Sequence, residues 1–275
     1  MQTISQNEAV LPREGLHAVH VFFRVEYEAW ELLDPPAKIA AKTEMARLVQ
    51  EIRAWPQTQL LTLSMVTPKA DLGFMLLTPD LHAADAFCKR LGLALGPGML
   101  AAEYSYLSMT ERSEYTTGED EFAEELERSE GIARGSAESG ERLVAFRARM
   151  EKYLRDRLEP NLPDWPVVCF YPMSKRRTGA DNWYSLPFAR RKELMGGHAR
   201  VGRTYHGRIL QLITGSTGLD DHEWGVTLFA KTTSDVKAIV YEMRFDEVSA
   251  RYADFGGFFI GLQMPLDRLF ARLGL

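Results

Sequence analysis

The chain carries one local pattern twice, and that repetition limits what it can fold into. "GFMLLTPDLHAADAFCKRL" and "GVTLFAKTTSDVKAIVYEMR" each run from an apolar strand through a Thr, Ser or Asp boundary into a helix. Around the first copy, strand character at 16–25 is followed by helical spacing at 35–55. Two strands come next, "TQLLTLSMV" and "ADLGFMLLTPD". A helix that Gly92 should stop and the strand "MLAAEYSYLSMTERSEY" complete the half. Around the second copy the order is the strand "WPVVCFYPMSK", a helix from "PFARRKELM", the strands "GRILQLITGSTG" and "HEWGVTLFAK", a helix to at least Arg244, and the strand "FGGFFIGLQM". Each half reads βαββαβ, the ferredoxin-like unit. A sheet with helices on one face leaves the other face bare, and two such sheets can bury their bare faces together. The expected fold class is therefore α+β: two ferredoxin-like halves forming a dimeric α+β barrel with helices outside.

Finer expectations follow from spacing. Ile39, Met45, Leu48, Val49 and Ile52 should share the buried side of the first long helix. The helical pattern of "PFARRKELMGGHARVGR" should break near Gly196 and Gly197. Residues 1–115 make the N-terminal half, 116–160 a connector and 161–275 the C-terminal half. The connector opens with six carboxylates between Glu119 and Glu127, a solvated helix face or a mobile linker. It closes with a basic helix that should bring Arg157 to the edge of the second sheet.

Several function classes are disfavoured. A net charge of −5 and pI of about 5.8 do not suit a general nucleic-acid binder. No apolar run approaches the ~18 residues that span a bilayer. "MQTISQNEAVLPREG" lacks a basic patch followed by an apolar stretch, so no secretion signal and a cytoplasmic setting are expected. Cys88 and Cys169 are too far apart for a CxxC pair and read as small buried hydrophobes. His222 and Glu223 point to opposite faces of a strand, so no zinc site is expected from them. "GSTG" lacks the Lys-Ser/Thr that a phosphate loop needs.

Period 2 puts Cys169, Tyr171, Met173 and Lys175 on one face of their strand and Phe170 on the other. Taken singly, these residues have ordinary roles: Tyr171 as a packed strand tyrosine, Lys175 at a wet strand end, Trp183 in a core. His198 alone would be a core or surface histidine.

Together, "CFYPMSKRR", "NWYSL", "RRKELMGGH", "GRILQLITGSTGLDDHEWGVTLF" and "YEMRFDEVSARYADFG" resemble the chlorite dismutase-like superfamily. Within it they look like the coproheme decarboxylases, or HemQ proteins. The resemblance covers most of 165–262 in order and spacing, and reaches the first half through "EYSYLSMTERSEY". It implies that iron coproporphyrin III (coproheme) is both substrate and redox centre and that haem b is the product. It implies His198 as the ligand to iron, and imidazole is a common haem ligand. It implies Tyr171 as the redox-active phenol, Lys175 as its proton-managing neighbour and Trp183 beside the pocket. Arg157, Arg244 and Ser249 match positions that hold propionates; Arg176 and Arg177 could add to the same field, with no contact assigned to either. At Gln211, the chlorite-degrading members carry an arginine. A neutral amide stabilises a developing oxyanion less well, and losing one such donor costs ~3 kcal/mol, which favours the decarboxylase branch. Glu114 stands where members of this branch often carry an amide that meets a propionate. Hydrogen peroxide as co-substrate, a homopentamer, and contact with the ferrochelatase that supplies coproheme are further implications. The alternatives are a chlorite dismutase or weak peroxidase, or a haem carrier or sensor without turnover.

Overall fold

A computed structural model describes residues 8–275. The first seven residues, part of the stretch read as free of a secretion signal, lie outside the described residues. The N-terminal half contains β1 (His17–Val25), α1 (Tyr27–Glu31), α2 (Pro35–Arg53), β2 (Gln59–Met65), β3 (Leu72–Thr78), α3 (Leu81–Leu93) and β4 (Leu100–Thr110). Two connector helices follow, α4 (Glu119–Glu130) and α5 (Ala137–Leu158). The C-terminal half contains β5 (Val167–Lys175), a short 3-10 turn at Trp183–Ser185, α6 (Phe188–Arg203), β6 (Ile209–Gly215) and β7 (Trp224–Ala230). It ends with α7 (Thr233–Met243), α8 (Glu247–Tyr252), β8 (Ala253–Phe255), β9 (Phe259–Gln263) and α9 (Leu266–Leu273). No helix among the described residues is long and apolar enough to cross a membrane.

Local chemistry explains the repeated strand-to-helix step. The Asp80 carboxylate accepts from the His82 amide at the start of α3, and the Thr232 hydroxyl accepts from the Asp235 amide at the start of α7. Each cap is worth ~1 kcal/mol. α2 begins the same way at Asp34, with Pro35 and Pro36 in its first turn.

The strands pair antiparallel in the order β7-β6-β4-β1-β3-β2-β9-β5, and β5 pairs again with β7, closing a ring with β8 added at the edge of β5. This is the barrel expected from two bare sheet faces. The seams between halves are short: β4 and β6 pair through Met109 with Gly215 and Thr110 with Thr214. Phe22, Leu63, Met75, Tyr106, Phe170 and Phe229 fill the interior. The outer face of the first half packs on α2 and α3 through Val21, Phe23, Leu48, Ile52 and Phe87. That of the second half packs through Cys169, Tyr171, Leu228, Val236 and Ile239. The strands are apolar on both faces because both are covered.

Three local expectations are corrected. Ile39 is 63% exposed, whereas Met45, Leu48, Val49 and Ile52 are buried. α6 runs unbroken through Gly196 and Gly197, because the loss of ~1 kcal/mol per glycine is outweighed by packing of the residues around them. α3 passes Gly92 to end one residue later. Of the two readings of the acidic connector, a solvated helix face or a linker, the helix is found, with its Phe122 ring stacked on Phe146 of α5 at 4.3 Å. α9 has no counterpart in the expected repeat; Leu269 and Phe270 bury it against the first half.

Candidate functional site

The outer face of the second half is ruled by register. Across the β6–β7–β5 ladder, Ile213, Val226 and Tyr171 lie in one row, and Gln211, Leu228 and Cys169 in the next. Alternation therefore turns Tyr171 and Gln211 to the same side, towards α6 and α7. Tyr171 is buried, and its ring stacks on Phe258 at 4.5 Å and lies 5.8 Å from Phe255. Burial pushes its phenol well above the ordinary tyrosine range, and the nearby Arg244 charge opposes that shift. Phenolate is therefore disfavoured there.

Lys175 ends β5 on the same side, as strand period predicts. Its ammonium lies 4.6 Å from the centre of the Trp183 ring, a partly desolvated cation–π contact worth ~1–2 kcal/mol. Burial pushes Lys175 down to about 8, against the pull of Asp246 and Glu223. The Glu223 carboxylate also accepts from the Lys175 backbone amide at 2.7 Å, fixing the strand end. Trp183 itself is fully buried in a satellite core with Leu194, Val248 and Tyr252.

His198 sits on the inward stripe of α6, which contains Arg191, Leu194, Met195 and Gly202 at helical spacing. Its Nδ1 pairs with Oδ2 of Asp246 at 2.7 Å. Asp246 is the N-cap of α8 and also accepts from the Ser249 amide at 3.3 Å. Burial pushes the Asp246 carboxyl up, but the His198 hydrogen bond and charge and the α8 amides hold it below the ordinary value. The imidazole is thereby held in one orientation and tautomer, with Nε2 as its free ligand atom.

The remaining expected residues divide. Ser249 is buried beside Asp246, and Arg244 caps α7 with its guanidinium 3.9 Å over the Phe255 ring. Gln211 is exposed, and its Nε2 lies 3.0 Å from where a side chain at Gly202 would begin, so that glycine leaves room for the amide under α6. Arg157 stands at the rim: its Nε donates to the Glu111 carbonyl at 2.7 Å, where the Glu111 carboxylate fills the space above Gly215. Arg176 pairs outward with Asp254. Glu114 pairs with Arg191 at 3.6 Å. Asp246, Phe255 and Phe258 had no role in the sequence reading, and Glu223 entered it only in a zinc pair that was set aside. Asp246 alone had a local signal, the Asp-x-x-Ser cap of "DEVS".

A lone imidazole supplies one ligand, and among the described residues no three His, Cys, Asp or Glu side chains gather as a metal cluster. A metal held by His198 would fit best in a group that brings its own donors, as a macrocycle does. The outer sheet face carries Ile213, Val226 and Tyr171 in one row, and two cations border it, Arg244 over Phe255 and Lys175 over Trp183, of the charge that acid groups would need.

The chlorite dismutase family profile matches residues 38–264. Among solved structures, the chain is 37% identical to a heme-binding protein from Thermus thermophilus, with 95% of this chain and 96% of that one covered and a TM-score of 0.79. Chlorite dismutase from Candidatus Nitrospira defluvii, solved with imidazole, is 16% identical over 96% and 97% of the two chains, with a TM-score of 0.70, which shows the shared fold. A variant of that enzyme matches at 17% identity over 96% and 97%, again with a TM-score of 0.70. The chain belongs to the chlorite dismutase family.

Proposed function

We propose that this member of the chlorite dismutase family is a coproheme decarboxylase: with hydrogen peroxide, it converts two propionates of iron coproporphyrin III to vinyls and yields haem b. One observation carries the proposal. The buried phenol of Tyr171, covered by Phe258, shares one face of β5 with the buried cation of Lys175, and the amide on the same side of the sheet, Gln211, is uncharged. The heme-binding relative supports a haem-type group in the same fold.

When bound, the iron porphyrin would supply the oxidising power drawn from peroxide. Each turn consumes one propionate, one peroxide and one proton and releases a vinyl group, one CO₂ and two waters. Tyr171 hands on a hydrogen atom, phenol to phenoxyl, and regains one from the carbon next to the ring carbon of the propionate. Loss of CO₂ and one further electron then leaves the double bond. Lys175, buried beside Trp183, would hold the proton that the reaction consumes. His198 would bind iron through Nε2 while Asp246 fixes its ring. Arg244 and Ser249 would orient acid arms through charge-assisted and neutral hydrogen bonds. Phe255 and Phe258 keep water from the Tyr171 ring.

Chlorite chemistry fits less well, because Gln211 lacks the fixed charge of a guanidinium. Mass spectrometry during peroxide titration of the iron coproporphyrin III complex, run beside Tyr171→Phe, tests the proposal. The wild type should lose two carboxyl groups in steps through a three-propionate species, and Tyr171→Phe should bind the pigment but leave it intact. Binding without mass loss in the wild type would leave a haem carrier, and oxygen release from chlorite at enzymatic rates would leave a dismutase.

A further inference from the structure

Two oxidisable rings border the site, and they are covered differently. Tyr171 on β5 is covered by Phe258, ring centres 4.5 Å apart, with Phe255 at 5.8 Å. Trp183, in the short turn that follows β5, is covered by a cation: the Lys175 ammonium stands 4.6 Å from its ring centre. Both partners are out of water, Lys175 at 9% exposure and Trp183 at 2%. Among the described residues no carboxylate closes an ion pair on that ammonium; Asp246 and Glu223 attract it from farther off. Lysines also stand over Trp30 and Trp165, but at 5.6 and 5.5 Å, and there Lys38 pairs with Glu31 and Lys231 is exposed. Paired or solvated charges are largely screened. Of these three rings only Trp183 faces a close, buried and unpaired cation.

Lys175 is four residues from Tyr171 on one face of β5, about 13 Å along the strand. An oxidant bound on that face therefore has both rings to draw on, and charge separates them chemically. A phenol that gives up a hydrogen atom leaves a neutral radical. An indole that gives up an electron becomes a radical cation first. A cation on the ring face favours the neutral indole through its quadrupole and repels the charge that oxidation would place there. At this range and burial, one unit charge moves such an equilibrium by roughly two orders of magnitude. Trp183 also leads outward. Its ring lies 5.3 Å from Tyr252 and 6.5 Å from Tyr115, and Tyr115 stacks at 5.9 Å on the exposed Phe188. An oxidising equivalent that reached Trp183 would have a way out of the site along its tyrosine neighbours.

We infer that the Lys175 ammonium guards Trp183 against oxidation and so directs the oxidising equivalent to Tyr171. The steering rests on the proposed function, which supplies the oxidant; the guard belongs to the protein alone. Without the charge, Trp183 competes with Tyr171 as the electron donor. The indole and one water then give up two electrons and two protons in all, which reduce one peroxide to two waters, and the ring keeps the oxygen of the first water as a hydroxyl group. Lys175 thus has a task separate from holding a proton for the decarboxylation: its charge decides which ring is oxidised.

The ligand-free, full-length protein tests the guard by itself. Flash oxidation with photoexcited ruthenium tris-bipyridine and persulfate, followed by peptide mass spectrometry, reads the oxygen gained at Trp183 against the partly exposed Trp55 as internal standard. Lys175→Gln and Lys175→Leu should raise that ratio roughly tenfold or more. Lys175→Arg, which keeps a cation, should stay near the wild type, and thermal melts identify the variants that are folded. In the iron coproporphyrin III complex treated with peroxide and freeze-quenched, the radical should be tyrosyl in the wild type and tryptophanyl in Lys175→Gln. It should be tyrosyl again in the double variant Lys175→Gln, Trp183→Phe. A ratio that the neutral variants leave unchanged overturns the guard, whatever the complex does. A tyrosyl radical in every variant of the complex overturns the steering. If the ratio rises but the wild-type complex neither loses carboxyl groups nor forms a tyrosyl radical, the proposed function fails and the guard stands.

Discussion

Nδ1 of His198 lies 2.7 Å from Oδ2 of Asp246, although the two residues are 48 positions apart in the chain. One carboxylate thereby orients the imidazole, caps α8 and places a negative charge near Lys175. Asp246→Asn retains a capping oxygen and removes the charge. It should lower the iron–imidazole stretching frequency, raise the iron reduction potential and weaken pigment binding or turnover about 10–100-fold. Resonance Raman and potentiometry check this; an unchanged potential would mean that Asp246 serves only the helix.

Lys175 is pushed down to about 8 from 10.5 by burial. Below about pH 8 it carries the proton, so a step that takes that proton should run at full rate there and decline above. Stability follows the same titration. Below about pH 8 both folded and unfolded chains hold the proton, and the folded chain bears the full cost of burying an ammonium. Between about 8 and 10.5 only the unfolded chain keeps it, so stability rises with pH. Lys175→Met should abolish the alkaline limb of the decarboxylation profile along with most of the rate. It should also stabilise the ligand-free protein below pH 8 by on the order of 2 kcal/mol. Rate profiles and denaturant melts at several pH values give both readings.

The ring that stacks on Tyr171 is held from the other half of the barrel. The Lys69 ammonium donates to the Phe258 carbonyl at 2.9 Å, and Phe258 covers the Tyr171 ring. Lys69→Met should change global stability by under about 1 kcal/mol, since the contact is exposed. It should nevertheless slow turnover severalfold and alter the spectrum of a trapped tyrosyl radical, because the loop that packs the phenol loses its tether. An unaltered radical signal and rate would show that Phe258 holds its place without Lys69.

Inside the barrel, His20 stacks on Phe170 at 4.0 Å and shares a hydrogen bond with the Thr227 hydroxyl at 2.9 Å. Burial lowers it from 6.5 to about 3. The unfolded chain therefore binds a proton between about pH 6.5 and 3 that the folded chain does not. Stability present above about 6.5 is lost as pH falls, at up to about 1.4 kcal/mol per pH unit. His20→Phe should flatten that acid slope while costing ~1–3 kcal/mol at neutral pH through the unpaired Thr227 hydroxyl. Chemical denaturation from pH 7 to 4 distinguishes the two effects.

Much of the fold was legible because helix and strand periods are properties of the backbone, visible in any short window. The repeated cap at Asp80 and Thr232, the doubly apolar strands and the shared face of Tyr171 and Lys175 are of this kind. Ile39 misled because its spacing fits a buried stripe, yet it faces an open groove between α2 and α9, beside Phe270 and Leu275. The glycines of α6 misled because propensity is a weak local term that neighbouring contacts override.

The sequence by itself determined the order of elements, the two-fold βαββαβ pattern and which side chains each strand turns to the same side. Tertiary structure decided which distant groups meet: His198 with Asp246, Lys175 with Trp183 and Glu223, Lys69 with Phe258, and Arg191 with Glu114. Those meetings depend on how a ring of strands closes and which helix lies over which row. Closure is set by the summed packing of the whole barrel, and no stretch of the chain short enough to be read locally contains it.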